Sequence, residues 1–233
     1  MIYRIFCRMV LIAPSVLAAD FRYLADEVSD AVSCGVDCLH MDIMDGHFVP
    51  NISYGPKFVD TVNKLTDTPL DIHLMLTNPE EFFDDFIEAG ADTIIFHIEA
   101  HADPVKYLRT LRDKGCRTGL SLNPEHRLED ARPYLEYCDR LLVMSVHPGF
   151  SGQDFIPETL RTVEAARQHM ERHSLNMLIA VDGGVDRGNA RRVVDAGADI
   201  LVMGSGFFSA SDRADLVNFV HKLSANGPHS ARR

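Results

Sequence analysis

The sequence lacks several features that would assign it to other classes. No two of its five cysteines form a C-x-x-C pair, and the count is odd. That excludes a paired disulfide framework and the usual cysteine-rich zinc modules. Cys7, Cys34, Cys38, Cys116 and Cys138 therefore read as free thiols, a reading that fits a reducing, cytoplasmic location. There is no apolar run of about 18 residues, so no membrane span is expected. Positive charge is also in deficit, with 23 Lys and Arg against 34 Asp and Glu, a net charge of −11. No broad basic face is available for nucleic acid or an anionic membrane. A small anionic substrate remains compatible, because a local site can be positive inside an acidic protein. No linker or composition break divides the chain. Arg4 to Ala19 loosely imitates a signal peptide, but Val10 to Ala13 reads better as a first strand. The expected domain plan is a leader over 1–9, one catalytic domain over 10–223 and a frayed tail over 224–233.

With 46% hydrophobic residues in 233, the chain can bury a sizeable core. One pattern recurs: an amphipathic helix, a glycine turn, then a short apolar run. It appears at Gly35-Val36-Asp37, at Gly90-Ala91-Asp92 and at Gly197-Ala198-Asp199. Glycine there suits a helix C-cap with positive φ. The pattern predicts strands over 10–14, 37–42, 69–74, 92–97, 116–121, 140–145, 177–182 and 199–203. Helices are predicted over 21–33, 55–65, 79–89, 103–114, 126–137, 156–172, 187–196 and 212–223. Near-continuous apolar strands alternating with helices imply a covered parallel sheet with right-handed crossovers. Eight such units imply an α/β fold of the (β/α)₈ TIM-barrel type, with an open doubly wound sheet as the alternative.

Active sites in such barrels lie at the C-terminal ends of the strands. His40 and Asp42, two apart on one strand, face the same way. A buried aspartate needs a partner to stay charged, and a metal ion supplies one. His73 ends the third predicted strand and Asp182 the seventh. Two imidazoles and two carboxylates suit Zn²⁺, Fe²⁺, Mn²⁺ or Co²⁺. The plainer alternative is a pair of buried His–Asp contacts. His97 is expected to be supporting or structural, Asp45 a loop former, and Asp71 is assigned no role. Asp182-Gly183-Gly184-Val185, Gly204-Ser205-Gly206 and the segment Pro148 to Gln153 read as phosphate cradles, using backbone amides and helix dipoles. Met44, Met75 and Met144 read either as core or as an apolar wall beside the reacting carbon.

These segments make the family recognisable. Ala13-Pro14-Ser15, the run His40 to Asn51, Asp71-Ile72-His73-Leu74-Met75, Leu122-Asn123-Pro124, Met144-Ser145-Val146, Pro148-Gly149-Phe150, Val181-Asp182-Gly183-Gly184 and Gly204-Ser205 resemble the ribulose-phosphate 3-epimerase family. The likeness runs from about Ile12 to Phe208. It implies a (β/α)₈ isomerase that interconverts D-ribulose 5-phosphate and D-xylulose 5-phosphate in the pentose phosphate pathway. It further implies one divalent metal ion per subunit and a homo-oligomer, a dimer or hexamer. Carried over, the metal ligands fall on His40, Asp42, His73 and Asp182, and the acid/base pair on Asp42 and Asp182. Substrate contacts fall on Ser15, His73, Met44, Met75 and Met144. Phosphate contacts fall on Gly149, Gly152, Gly183, Gly184, Gly204 and Ser205. His147, Ser151 and Gly206-Phe207 depart from the family pattern at positions expected to border the pocket. A 3-epimerase of a hexulose phosphate such as D-allulose 6-phosphate would keep the same acid/base residues.

The implied chemistry inverts a carbon next to a ketone. Asp42 removes the C3 proton, an enediolate forms, and Asp182 returns a proton from the other face, with a metal ion as Lewis acid. A decarboxylase or aldolase on a similar barrel would want a lysine near the ends of the second or third strands. His40 to Asp45 and Asp71 to Met75 contain none.

Overall fold

A computed structural model describes residues 9–100 and 103–223. The expected tail, Cys7 and the expected leader apart from Met9 lie outside the described residues. Eight strands alternate with helices. The strands are β1 Leu11–Pro14, β2 Leu39–Met44, β3 Leu70–Met75, β4 Thr93–His97, β5 Arg117–Leu122, β6 Arg140–Met144, β7 Leu178–Asp182 and β8 Ile200–Met203. The connecting helices are α1 Leu24–Ser33, α2 Pro56–Asn63, α3 Phe83–Glu88, α4 Pro104–Asp113, α5 Leu128–Ala131, α6 Leu160–His173 and α7 Ala190–Ala196. Two more, α8 Ser205–Phe208 and α9 Arg213–His221, follow β8. Every strand pair is parallel, in the order β1-β8-β7-β6-β5-β4-β3-β2. β1 meets β2 through the Ser15–His40 bridge, which closes the ring and excludes the open-sheet alternative.

The helix signals act locally. Asp103 and Asp212 cap α4 and α9 by accepting from Lys106 N and Asp215 N. The helix expected over 126–137 is instead the short α5 followed by a 3₁₀ segment, Arg132–Tyr137. Pro133 is the reason, since it has no N–H to return to Glu129 and would crowd that carbonyl. α8 was not expected. It is one turn, too short for a periodic signal to register.

Alternate side chains of each strand point to opposite faces. The outer set, including Ile12, Leu39, Met41, Leu70, Ile72, Ile94, Phe96, Leu120 and Ile179, packs against the helices. The inner set, including Ala13, Ile95, Leu142, Ala180, Ile200 and Val202, fills the barrel. Below it lies a buried ion pair, Arg140 with Asp71, and Cys38 Sγ donates to Asp71 at 3.3 Å. That contact gives Asp71 its structural role.

The recurrent aspartate at the foot of the even strands is a clamp. Asp37, Asp92, Asp139 and Asp199 accept from the backbone N–H of Ile12, Leu70, Thr118 and Ile179 at 2.8–2.9 Å. Each also donates its own N–H to the carbonyl of that same residue, at 2.8–3.1 Å. The foot of each odd strand is thus tied reciprocally to the next even strand. The carbonyls of Asp92, Asp139 and Asp199 in turn accept from Arg117, Leu178 and Leu11 on the following odd strand. These bonds satisfy strand-end groups that would otherwise stay unpaired at the barrel floor.

Candidate metal and active site

Register brings the polar residues together. Asp42 stands opposite His73 across β2 and β3, and Met44 opposite Met75. Met144 stands opposite Asp182 across β6 and β7. His40 and His73 are fully buried, and Asp42 and Asp182 nearly so. One nitrogen or oxygen from each of the four lies within 4.8 Å of all the others, a set able to hold a metal ion. His73 Nδ1 is 3.0 Å from Asp42 Oδ1 and 4.0 Å from Asp182 Oδ2. His40 Nε2 is 3.4 Å from Asp42 Oδ1 and 3.6 Å from Asp182 Oδ2. Neither ring nitrogen of His40 has a hydrogen-bond partner among the described residues. A buried imidazole left so is costly unless something else occupies its lone pair. This donor set, with orphaned His40 at its centre, fits a divalent cation better than a pair of plain His–Asp contacts.

The two carboxylates differ. Burial opposes charge on Asp42 more than any other single influence. The adjacent His40 imidazole first, and then His73 at hydrogen-bond distance, outweigh it and hold the carboxyl well below the usual range. Ser15 Oγ donates to Asp42 Oδ2 at 2.6 Å. Asp182 has weaker support. Burial first, and the Asp42 charge second, push it up to about 7. Burial and mutual repulsion therefore favour the ionised form at Asp42 and the protonated form at Asp182. Burial pushes His73 down to about 4. His40 is raised, because the two aspartates overcome the opposing effect of burial.

Supporting residues invisible to periodicity fix the strand ends. Ser53 Oγ donates to Asp42 O at 2.6 Å and accepts from Met44 N at 3.0 Å. Tyr54 Oη accepts from Asp42 N at 3.2 Å. Ser145 Oγ donates to the carbonyls of Asp182 and Gly183 at 2.9 and 2.6 Å. Asp45 is the expected loop former, accepting from His47 N, Phe48 N and Thr77 N.

A cavity opens above these groups. Ser15, Met44, Met75 and Met144 line it, together with Gly149, Gly152, Gly183, Gly184, Gly204 and Ser205. Gly183 and Gly184 have φ of +114° and +63°. A Cβ on Gly183 would come 2.8 Å from Val146 N, and one on Gly184 would come 2.7 Å from Phe155 N. Only glycine fits there. Loops after β2 and β6 meet over the cavity, where Asn51 Nδ2 donates to Gly149 O at 2.6 Å. Two expectations need correction. Phe207 does not border the cavity but is buried in the outer core, because the one-turn α8 rotates it inward. His147 does not line it either, and pairs on the surface with Glu125 at 3.0 Å. Ser151 and Gly206 do line it.

Among the described residues no helix is long and apolar enough to cross a membrane. Residues 11–208 match the model of the ribulose-phosphate 3 epimerase family. The chain is 42% identical to a ribulose-phosphate 3-epimerase of Synechocystis sp. over 224 residues, covering 95% of this chain and 97% of the relative. It is 45% identical to one of Mycobacterium bovis over 207 residues, covering 89% and 90%. Among solved structures, a 3-hexulose-6-phosphate synthase superposes with a TM-score of 0.66 at 19% identity, covering 93% of this chain and all of that one. That likeness speaks to the fold alone.

Proposed function

Since the chain belongs to the ribulose-phosphate 3-epimerase family, we propose that it interconverts D-ribulose 5-phosphate and D-xylulose 5-phosphate through two-base proton transfer at C3. The observation that carries this reading is geometric: the buried carboxyls of Asp42 from β2 and Asp182 from β7 meet with His40 and His73 at the base of one cavity rimmed by the glycine loops. Epimerisation needs one group ready to accept a proton and another ready to give one. Asp42 is the base. Its carboxylate is oriented by Ser15 and by the Ser53 and Tyr54 contacts to its backbone. Asp182, reaching in from β7, is the acid, with its strand end pinned by Ser145. In the reverse direction the two exchange roles.

His40, Asp42, His73 and Asp182 would hold one divalent ion, Zn²⁺, Fe²⁺, Mn²⁺ or Co²⁺. When bound, it supplies Lewis acidity for the negative charge that develops on the substrate oxygens. Met44, Met75 and Met144 form a soft apolar wall beside the reacting carbon and limit water there. Gly183, Gly184, Gly204 and Ser205, with Gly149 and Gly152, grip the phosphate through backbone amides that no side chain obstructs. Binding energy remote from C3 then positions the reacting atoms. The four described cysteines are free, which supports a cytoplasmic location. The test is an epimerisation assay on D-ribulose 5-phosphate and D-allulose 6-phosphate, with metal content measured on the same sample. Faster turnover of the pentulose phosphate is expected, and preference for the hexulose phosphate would move the substrate.

A further inference from the structure

His97 is fully buried at the end of β4, and the mechanism above does not use it. Its placement follows from register. His73 stands opposite Ile95, so His97 lies two residues further along β4 on the same inner face. The two imidazoles stack with centroids 5.0 Å apart, and His97 Nε2 is 2.8 Å from His73 Nε2. His73 Nδ1 is the nitrogen that faces Asp42 and Asp182. The His73 ring is thus divided, with one nitrogen toward the cation site and the other committed to His97. On its far side, His97 Nδ1 has no hydrogen-bond partner among the described residues and faces Glu99 Oε1 at 3.6 Å. Glu99 is itself located by Asn123 Nδ2, a short contact from the end of β5, and His126 Nδ1 lies 3.7 Å from its other oxygen. Phe48 packs over His97 at a centroid distance of 4.8 Å and shields the chain of polar groups from above.

A neutral imidazole donates from one nitrogen and accepts at the other. For His73 to offer the Nδ1 lone pair to a cation, its Nε2 must donate to His97 Nε2. His97 must then carry its proton on Nδ1, directed at Glu99. We propose that Glu99 and His97 are positioning residues that fix the orientation and hydrogen-bond direction of His73, so that Nδ1 is presented to a divalent cation. The inference rests on the metal reading above. It adds two residues that do not touch the cation, and it explains why Asn123 stands at the end of β5. Partners of this kind behind a ligating histidine are worth about 10–100-fold in metal affinity.

The experiment measures Co²⁺ affinity by competition with a chelating indicator, together with the visible spectrum of the Co²⁺-loaded full chain. It compares the wild type with His97→Leu, His97→Gln and Glu99→Ala. His97→Leu is expected to weaken Co²⁺ binding about 10–100-fold and to alter the spectrum. His97→Gln keeps an acceptor for the His73 donor and should restore most of the affinity. Glu99→Ala, at a partly exposed side chain, should weaken binding about tenfold and keeps the test decisive if His97→Leu fails to fold. Wild-type affinity and spectrum in both His97→Leu and Glu99→Ala would overturn the positioning role and leave the metal reading standing. Failure of the wild-type chain to bind Co²⁺ would overturn the metal reading and this inference with it.

Discussion

Metal binding should release a proton from Asp182, and that makes affinity a steep function of pH. In the metal-free protein burial and the neighbouring Asp42 charge lift the Asp182 carboxyl to about 7. A cation needs the carboxylate, so below that pH a proton must leave first. The penalty on affinity is a factor of one plus the ratio of protonated to ionised Asp182. It is about 2 at pH 7 and about 100 at pH 5, a loss of about 50-fold or roughly 2.3 kcal/mol. The other ligands adjust this figure in known directions. Asp42 is held well below the usual range and is ionised throughout, so it contributes no proton. His73, near 4, is neutral across most of the window. His40 is raised and must also lose a proton to ligate, which steepens the slope beyond one proton. At the acid end of the window, between one and two protons should therefore be released per cation bound, and the Asp182 share should fall to about half a proton at pH 7. The assay is calorimetric titration of metal-free protein with Co²⁺ or Zn²⁺ from pH 5.5 to 8, in pairs of buffers with different ionisation heats. At pH 5.5 Asp182→Asn should release about one proton fewer. Affinity that stays flat from pH 5.5 to 7, or a proton count unchanged in Asp182→Asn, would refute the reasoning.

Three further outcomes follow from the same geometry. Asp42→Asn should lower turnover by about 10²–10⁴-fold with unchanged circular dichroism, and wild-type turnover would sink the two-base scheme. Asp139→Ala should leave the buried Thr118 N–H without its acceptor. That costs about 1–3 kcal/mol, read as a lower melting temperature by about 2–4 °C per kcal/mol, and Asp139→Asn, which keeps an acceptor, should lose less. Gly184→Ala forces a side chain into φ +63° against Phe155. The left-handed backbone alone costs about 1–2 kcal/mol and the clash with Phe155 N and Gln153 O adds to it, so the loss should appear chiefly as a higher KM for the phosphorylated ketose.

The sequence reading and the structure agree most where a residue's role depends on its own strand. The four clustered His and Asp residues were legible because each lies near the end of an apolar run, and runs that end together converge in a barrel. The glycine loops were legible for the same reason. What escaped the reading depends on neighbours. β2 begins at Leu39 rather than 37, because Asp37 turns its carboxylate to Ile12 N instead of continuing the strand. His97 is legible as a supporting or structural residue, but its stacking on His73 comes from the β3–β4 register, which periodicity along one strand cannot give. Ser53, Tyr54 and Ser145 act through hydrogen bonds to backbone, and an isolated Ser or Tyr in a loop carries no spacing signal. Phe207 lies in a one-turn helix, where a shift of one residue decides between pocket and core.

The four aspartate clamps have a consequence for how such a chain can change. They lie at the floor of the barrel, at the opposite end from the cavity. The ring therefore has its own fastening, independent of the polar groups crowded at the mouth. Orphaned imidazole nitrogens near the mouth are tolerable because the floor is held by its own satisfied hydrogen bonds. Variation can then act on the two ends separately. Lesions at the foot of an even strand would show as lost foldedness with chemistry unaltered in the molecules that remain folded. Changes in the loops above β6, β7 and β8 would redirect the chemistry while the ring stays shut.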